Sequence, residues 1–260
     1  MKAVRPSPSE KREGMRLNRF LARAGMGSRR GVEALVTDGR VSVDGEVVTD
    51  LATYVRPGVS DVRVDGSRIN LPKEKTSFAF YKPKQVVSTL DDPEGRPCLK
   101  NFLPAGFPGL VPVGRLDYHS EGLMILTNDG ELSNRLLHPR YGKIKVYSVK
   151  VKGSPDHEAL ARLCRGIRLE GRKTLPVKIR RMPSRETRHT WLEIQMAEGR
   201  KNQIREMFFR IDHPVIKLKR IAMGPVKLGA LKPGEVRTLT AEEIALLNES
   251  PGQKPTGGKK

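Results

Sequence analysis

The short apolar run Met124-Ile125-Leu126 lies between Gly122 and the turn-forming Thr127-Asn128-Asp129-Gly130, and this punctuation narrows the folds open to the chain. It suits a strand covered on both faces. Asp129 can cap a following helix that carries Leu132, Leu136 and Leu137 on one side, so the segment predicts strand, turn, helix. Just ahead lies Gly114-Arg115-Leu116-Asp117, which sets a carboxylate beside an arginine in the loop entering the buried strand. Taken alone, such a pair fits a loop or cap residue as well as a nucleophile, because exposed Asp–Arg pairs are common and contribute little.

Charge narrows the partners. Forty-nine Lys and Arg against 29 Asp and Glu leave a net charge of +20 on 260 residues, and such self-repulsion points to a polyanion, nucleic acid before an anionic membrane. No apolar run reaches the roughly 18 residues of a membrane span, and no long basic amphipathic helix is evident. The first ten residues lack the apolar core of a secretory signal, so a cytoplasmic location is expected. Cys98 and Cys164 are far apart, and the five histidines show no ligand spacing. Neither a disulfide framework, a zinc site nor a phosphate loop is suggested, and no cofactor or metal is expected.

The polar Leu71-Pro72-Lys73-Glu74-Lys75-Thr76 separates two apolar-periodic regions. In the first, Leu17, Phe20, Leu21 and Ala24 form one side of a short helix with Gly25 as its stop, and Ser28 can cap a second helix from Arg29 to Asp38. Val41-Ser42-Val43 and Glu46-Val47-Val48 flank Asp44-Gly45, a strong hairpin signal. Arg29 and Arg30 at a helix start oppose its dipole unless an anion binds there; a solvated basic face is the other reading.

In the second region, Phe78-Ala79-Phe80-Tyr81 reads as an apolar strand ending in Lys82-Pro83-Lys84, whose lysines read as surface charge or as part of a site. Tyr147, Val149 and Val151 share a strand face, where Tyr147 reads as a core residue or as a ring available for stacking. Leu192 to Met196 alternates, and Ile204, Met207, Phe208 and Ile211 place a helix beginning near Asn202. Arg200, Lys201 and Arg205 crowd its positive end, which calls for a phosphate or a carboxylate nearby.

These blocks, in this order, resemble the RsuA/RluB family of ribosomal RNA pseudouridine synthases. The stretch from Met15 to Gly66, with its Arg16-Leu17 start, Gly25, Ser28-Arg29-Arg30 and Val41 to Gly45 hairpin, resembles a small RNA-binding module named after a small-subunit ribosomal protein. The resemblance implies an α+β fold in which a helix-helix-hairpin module is linked to a larger catalytic domain built on a mostly antiparallel mixed sheet. The expected boundaries are a flexible 1–14, the module at 15–70, a linker at 71–76, the catalytic domain at 77–247 and a disordered basic tail at 248–260.

The implied reaction converts uridine to pseudouridine in ribosomal RNA without a cofactor. Asp117 stands at the family's catalytic aspartate, Tyr147 at its base-packing tyrosine, and Arg205 at the basic residue that pairs with the aspartate. Arg19, Arg23, Ser28, Arg29, Arg30, Lys82, Arg115, Arg200 and Lys201 are the expected RNA contacts. Gln85 stands where the family commonly has glycine, and Glu206 where it has a basic residue. His138 to Tyr141 and Gly166 to Glu170 resemble the branch acting on large-subunit RNA. The expected partner is ribosomal RNA or a ribosome assembly intermediate, the expected state a monomer. A non-catalytic RNA-binding or assembly protein would use the same basic surface.

If Arg29 and Arg30 hold phosphates, replacing both by alanine weakens RNA binding and flattens its log–log salt dependence by roughly one unit per lost contact. A salt titration of both proteins reads this directly; an unchanged slope removes the two residues from the interface.

Overall fold

A computed structural model of the chain describes residues 14–104 and 106–249. These form two units, one of residues up to 76 with 104–111, the other of 77–103 and the chain from 112 onward. The segment 104–111, which the sequence reading assigned to the larger domain, groups instead with the smaller unit, where Gly109 lies against the backbone of Arg23. The flexible start and basic tail expected from the sequence fall almost wholly outside the described residues. Among the described residues no helix is long and apolar enough to cross a membrane.

In the smaller unit, α1 (Leu17–Arg23) and α2 (Gly31–Thr37) pack Leu17, Phe20 and Leu21 against Val32 and Val36. The second helix begins at Gly31, two residues later than the sequence suggested, and Ser28 leads into it as the cap expected: its hydroxyl accepts from the Gly31 amide at 2.9 Å and its carbonyl from the Val32 amide at 2.9 Å. A four-stranded antiparallel sheet completes the core: β1 (Val41–Val43), β2 (Glu46–Val47), β3 (Val62–Val64) and β4 (Ser67–Arg68), in the order β2-β1-β3-β4. Asp44 and Gly45 both adopt positive φ, as the tightest hairpin turn demands.

The larger unit is built on one mixed sheet. Its main path runs β8 (Lys178–Arg181), β9 (His189–Met196), β7 (Lys145–Lys152), β10 (Val215–Met223), β6 (Glu121–Thr127), β5 (Ser77–Lys82), β11 (Val236–Thr238). Every pairing along this path is antiparallel except β10 with β6. Met124, Ile125 and Leu126 are wholly buried, as their unbroken apolar run requires. On one face Leu123 and Ile125 pack with Leu132 and Leu136 of α3 (Gly130–Leu137) and Leu247 of α6 (Ala241–Asn248). Asp129 caps α3, its carboxylate accepting from the Glu131 amide at 2.9 Å. Two further helices, α4 (His157–Cys164) and α5 (Gln203–Phe209), complete the unit.

The parallel step constrains the centre of the sheet. Gly122 pairs with Arg220 and has φ +112, and a Cβ placed there would stand 2.7 Å from the Arg220 amide nitrogen and closer still to its carbonyl oxygen. No side chain fits. Gly122→Ala is therefore expected to destabilise the protein by more than about 1 kcal/mol, through both the positive φ and the overlap. Urea unfolding of the variant provides the measurement, and unchanged stability would show that the two strands can move apart.

Candidate active site

Asp117 occupies the loop between Gly114 and β6, and four separate connections fix that loop. The Ser88 hydroxyl donates to the Leu116 carbonyl at 2.6 Å and accepts from the Leu116 amide at 3.1 Å. The Gln85 amide donates to the Tyr118 carbonyl at 2.8 Å. Lys82 donates from Nζ to the carbonyls of Ser120 at 3.0 Å and Asp117 at 3.4 Å, and also to that of Pro83 at 2.9 Å. Arg205 donates from Nη2 to the His119 carbonyl at 3.3 Å and the Ser120 hydroxyl at 3.4 Å. Gln85 adopts φ +60, the conformation that favours the glycine expected there, and so keeps its amide aimed at Tyr118.

The loop borders a cleft of about 530 Å³ whose lining includes Arg115, Asp117, Tyr147, Arg200, Lys201 and Arg220. Strand alternation on β7 puts Tyr147 on the cleft side at 7% exposure, opposite Ile194 of β9 and Arg220 of β10. The row Tyr147, Arg220, Gly122 thus crosses three adjacent strands, and Gly122 lies in the strand that Asp117 enters. Leu218, Met196 and Ile204 supply apolar wall.

Several expected roles change with the tertiary structure. Lys82 is completely buried, with its ammonium enclosed by carbonyls, so it cannot meet an RNA phosphate. Burial pushes its pKa down to about 8; the charges of Asp117 and Glu121 act upward and that of Arg220 downward. Arg205 bonds to the loop carrying Asp117, and none of the ion pairs among the described residues includes the Asp117 carboxylate. The expected carboxylate fork is thus not made; Arg205 braces the loop. Arg200 is committed as well, donating to Glu198 at 3.3 Å and to the carbonyls of Arg172 at 3.2 Å and Lys173 at 2.7 Å. The anion that the crowded start of α5 called for is Glu198, a carboxylate of the protein.

Arg115 and Lys201 are exposed at the cleft. In the smaller unit Arg19, Arg29 and Arg30 are exposed, Arg23 is half-buried with an unpartnered Nε, and Ser28 is exposed with its hydroxyl accepting from Gly31.

Arg220 escaped the sequence reading. It is 2% exposed, donates from Nε to the Leu123 carbonyl at 2.6 Å and leaves Nη2 buried without a partner. A signal existed: Arg220 is two residues from the buried Leu218 on β10, so alternation aims a cation inward. Buried unpaired guanidinium groups are costly and mark places where charge is put to use.

The pKa of Lys82 makes a linkage prediction. Between about 8 and the ordinary lysine value of 10.5 the unfolded chain holds a proton that the folded chain has released, so this group's destabilising contribution is relieved as pH rises. Across that window the wild type should gain stability relative to Lys82→Met, measured as the difference in urea midpoints. Parallel pH dependences would mean that the ammonium is not held as described.

Comparison with known proteins identifies the family of the chain. Residues 77–209 match the model of the RNA pseudouridylate synthase family, and residues 15–60 match the S4 domain. An RNA pseudouridine synthase of Aquifex aeolicus, described as uncharacterized, is 44% identical over 241 residues, covering 92% of this chain and 96% of the relative. The ribosomal large subunit pseudouridine synthase B of Bacillus subtilis is 41% identical over 233 residues, covering 89% and 95%. A crystal structure of a pseudouridylate synthase superposes with a TM-score of 0.64 at 27% identity, covering 90% of this chain and 99% of that one. With residues 77–209, which include Asp117 and Tyr147, matching the family model, the chain belongs to the RNA pseudouridylate synthases and bears an S4 domain ahead of the catalytic unit.

Proposed function

We propose that this protein converts a uridine of ribosomal RNA, in the large subunit, to pseudouridine, with Asp117 as its nucleophile. The observation that carries the reading is the placement of a carboxylate-bearing loop, braced by Lys82, Ser88, Gln85 and Arg205, at a cleft lined by Tyr147 and Arg220. The ribosomal target rests on the kinship with the Bacillus subtilis large-subunit synthase.

Isomerisation breaks the bond from N1 to C1′ and forms one from C5 to C1′. In the proposed course an Asp117 oxygen bonds to C1′ while the N1–C1′ electron pair leaves with the uracil. The detached base turns within the cleft, where the Tyr147 ring packs against it. C5 then takes C1′ back and the carboxylate is released; C5 gives up its proton and N1 ends protonated, so every atom is retained. Asp117 attracts the buried Lys82 ammonium, and Arg220 adds a second buried cation to the cleft. The target nucleotide must leave its stack at a cost of roughly a few kcal/mol, which backbone contacts to the exposed arginines of the N-terminal unit help to offset.

Large-subunit RNA transcripts treated with purified protein, with nucleoside analysis and mapping of the product, test this reading. Wild type should form pseudouridine at one position, and Asp117→Asn should bind the RNA with near-unchanged affinity and form none. Product from the variant would exclude Asp117 as nucleophile; tight binding by both proteins with no product from either would favour a non-catalytic RNA-binding role.

A further inference from the structure

Between Arg162 and Arg188 the chain carries ten Lys and Arg against two acids, Glu170 and Glu186. Part of this density has a simple explanation: β8 is an outer strand of the sheet, and cations there discourage pairing with another chain. The hairpin Arg168–Leu169 and Arg172–Lys173 needs another account, since its two-residue strands are too short to template an edge. Arg168, Arg172 and Lys173 are all exposed, while Leu169 is buried at 7% and Ile167 at 8%. None of the three cations takes part in the ion pairs among the described residues.

The hairpin is also fixed in place. Glu198 and Arg200 line the cleft. Arg200 holds the hairpin's Arg172 and Lys173 carbonyls, and Glu198 accepts from the Leu175 amide at 2.8 Å and from Gln203 Nε2 at 2.5 Å. At the hairpin base, the Ile167 amide donates to the Thr174 hydroxyl at 3.1 Å and the Thr174 amide to the Ile167 carbonyl at 2.8 Å. Three unpaired cations are therefore displayed on a rigid support bonded to the cleft rim.

We propose that this hairpin is a second RNA-backbone surface, in the catalytic unit itself, which grips phosphates of the strand flanking the nucleotide in the cleft. The inference rests on the proposed function for the identity of the RNA. Arg200 then serves RNA binding at one remove: it anchors the hairpin, and the hairpin's own side chains meet the phosphates. Contacts of this kind set register and supply affinity while carrying no sequence information.

The test compares Arg172→Ala/Lys173→Ala with Lys227→Ala/Lys232→Ala, a pair of exposed lysines elsewhere in the same unit. Alanine keeps the carbonyls that Arg200 holds, and thermal unfolding of each variant checks the fold. On a large-subunit RNA transcript the hairpin variant should bind about tenfold more weakly and lose roughly two units of log–log salt slope, with the control pair changing much less. Arg172→Lys should restore most of the lost slope, since a phosphate contact needs the charge. Equal effects from both pairs would reduce the hairpin to a share of the overall charge and overturn the proposal, as would an unchanged slope. Pseudouridine formation is scored separately: slope loss in the hairpin variant with no product from wild type would leave the surface standing and remove the synthase reading.

Discussion

An ammonium group with no access to water organises the catalytic unit. Removing a lysine head group from solvent is costly, and the cost is tolerable only where acceptors replace the lost water. Lys82 meets that requirement with three backbone carbonyls, two of which belong to the loop that carries Asp117. The end of β5 and the entrance to β6 are thereby locked together, in the same place where Ser88 and Gln85 hold the loop from the other side. Among the described residues no hydrogen bond or ion pair engages the carboxylate on this loop. Preorganisation of this kind would serve the role proposed for Asp117, because the loop's geometry is settled before substrate arrives.

The cations of this protein divide into two populations. Lys82 and Arg220 are buried and act across short distances in a low-dielectric setting, where a charge counts for more. The exposed arginines and lysines meet water and salt, and their individual contributions are small and additive along a polyanion. Arg200 and Arg205 form a link between the two groups. Both fasten backbone carbonyls, one at the hairpin on the cleft rim and one at the loop that carries Asp117. Guanidinium groups suit this work, because their several donors lie in a fixed plane.

The legibility of the fold followed the range of the interactions involved. Local signals held: Asp129 as a helix cap, Asp44-Gly45 as a tight turn, and the alternating faces around Tyr147 and Leu192. The same Asp-Gly logic marks the second hairpin at Asp65-Gly66. Ser28 likewise leads into α2 as a cap, its hydroxyl accepting from the Gly31 amide, although the helix itself begins only at Gly31.

The sequence by itself determined the order of elements, since periodicity, caps and turns are written over a few neighbouring positions, and its motif blocks carried the resemblance to the family. It also presented Asp117, Tyr147 and Arg205 as one group. Only the tertiary structure decided what each charge does. Lys82 changed from surface cation to buried brace, Arg205 from carboxylate partner to loop support, and Arg220 from an ordinary strand residue to a buried cation beside Tyr147. The reason is physical: whether a long charged side chain is exposed or enclosed depends on strands far apart in sequence. Here it depends on β10 passing so close to β6 that Gly122 has no room for a side chain.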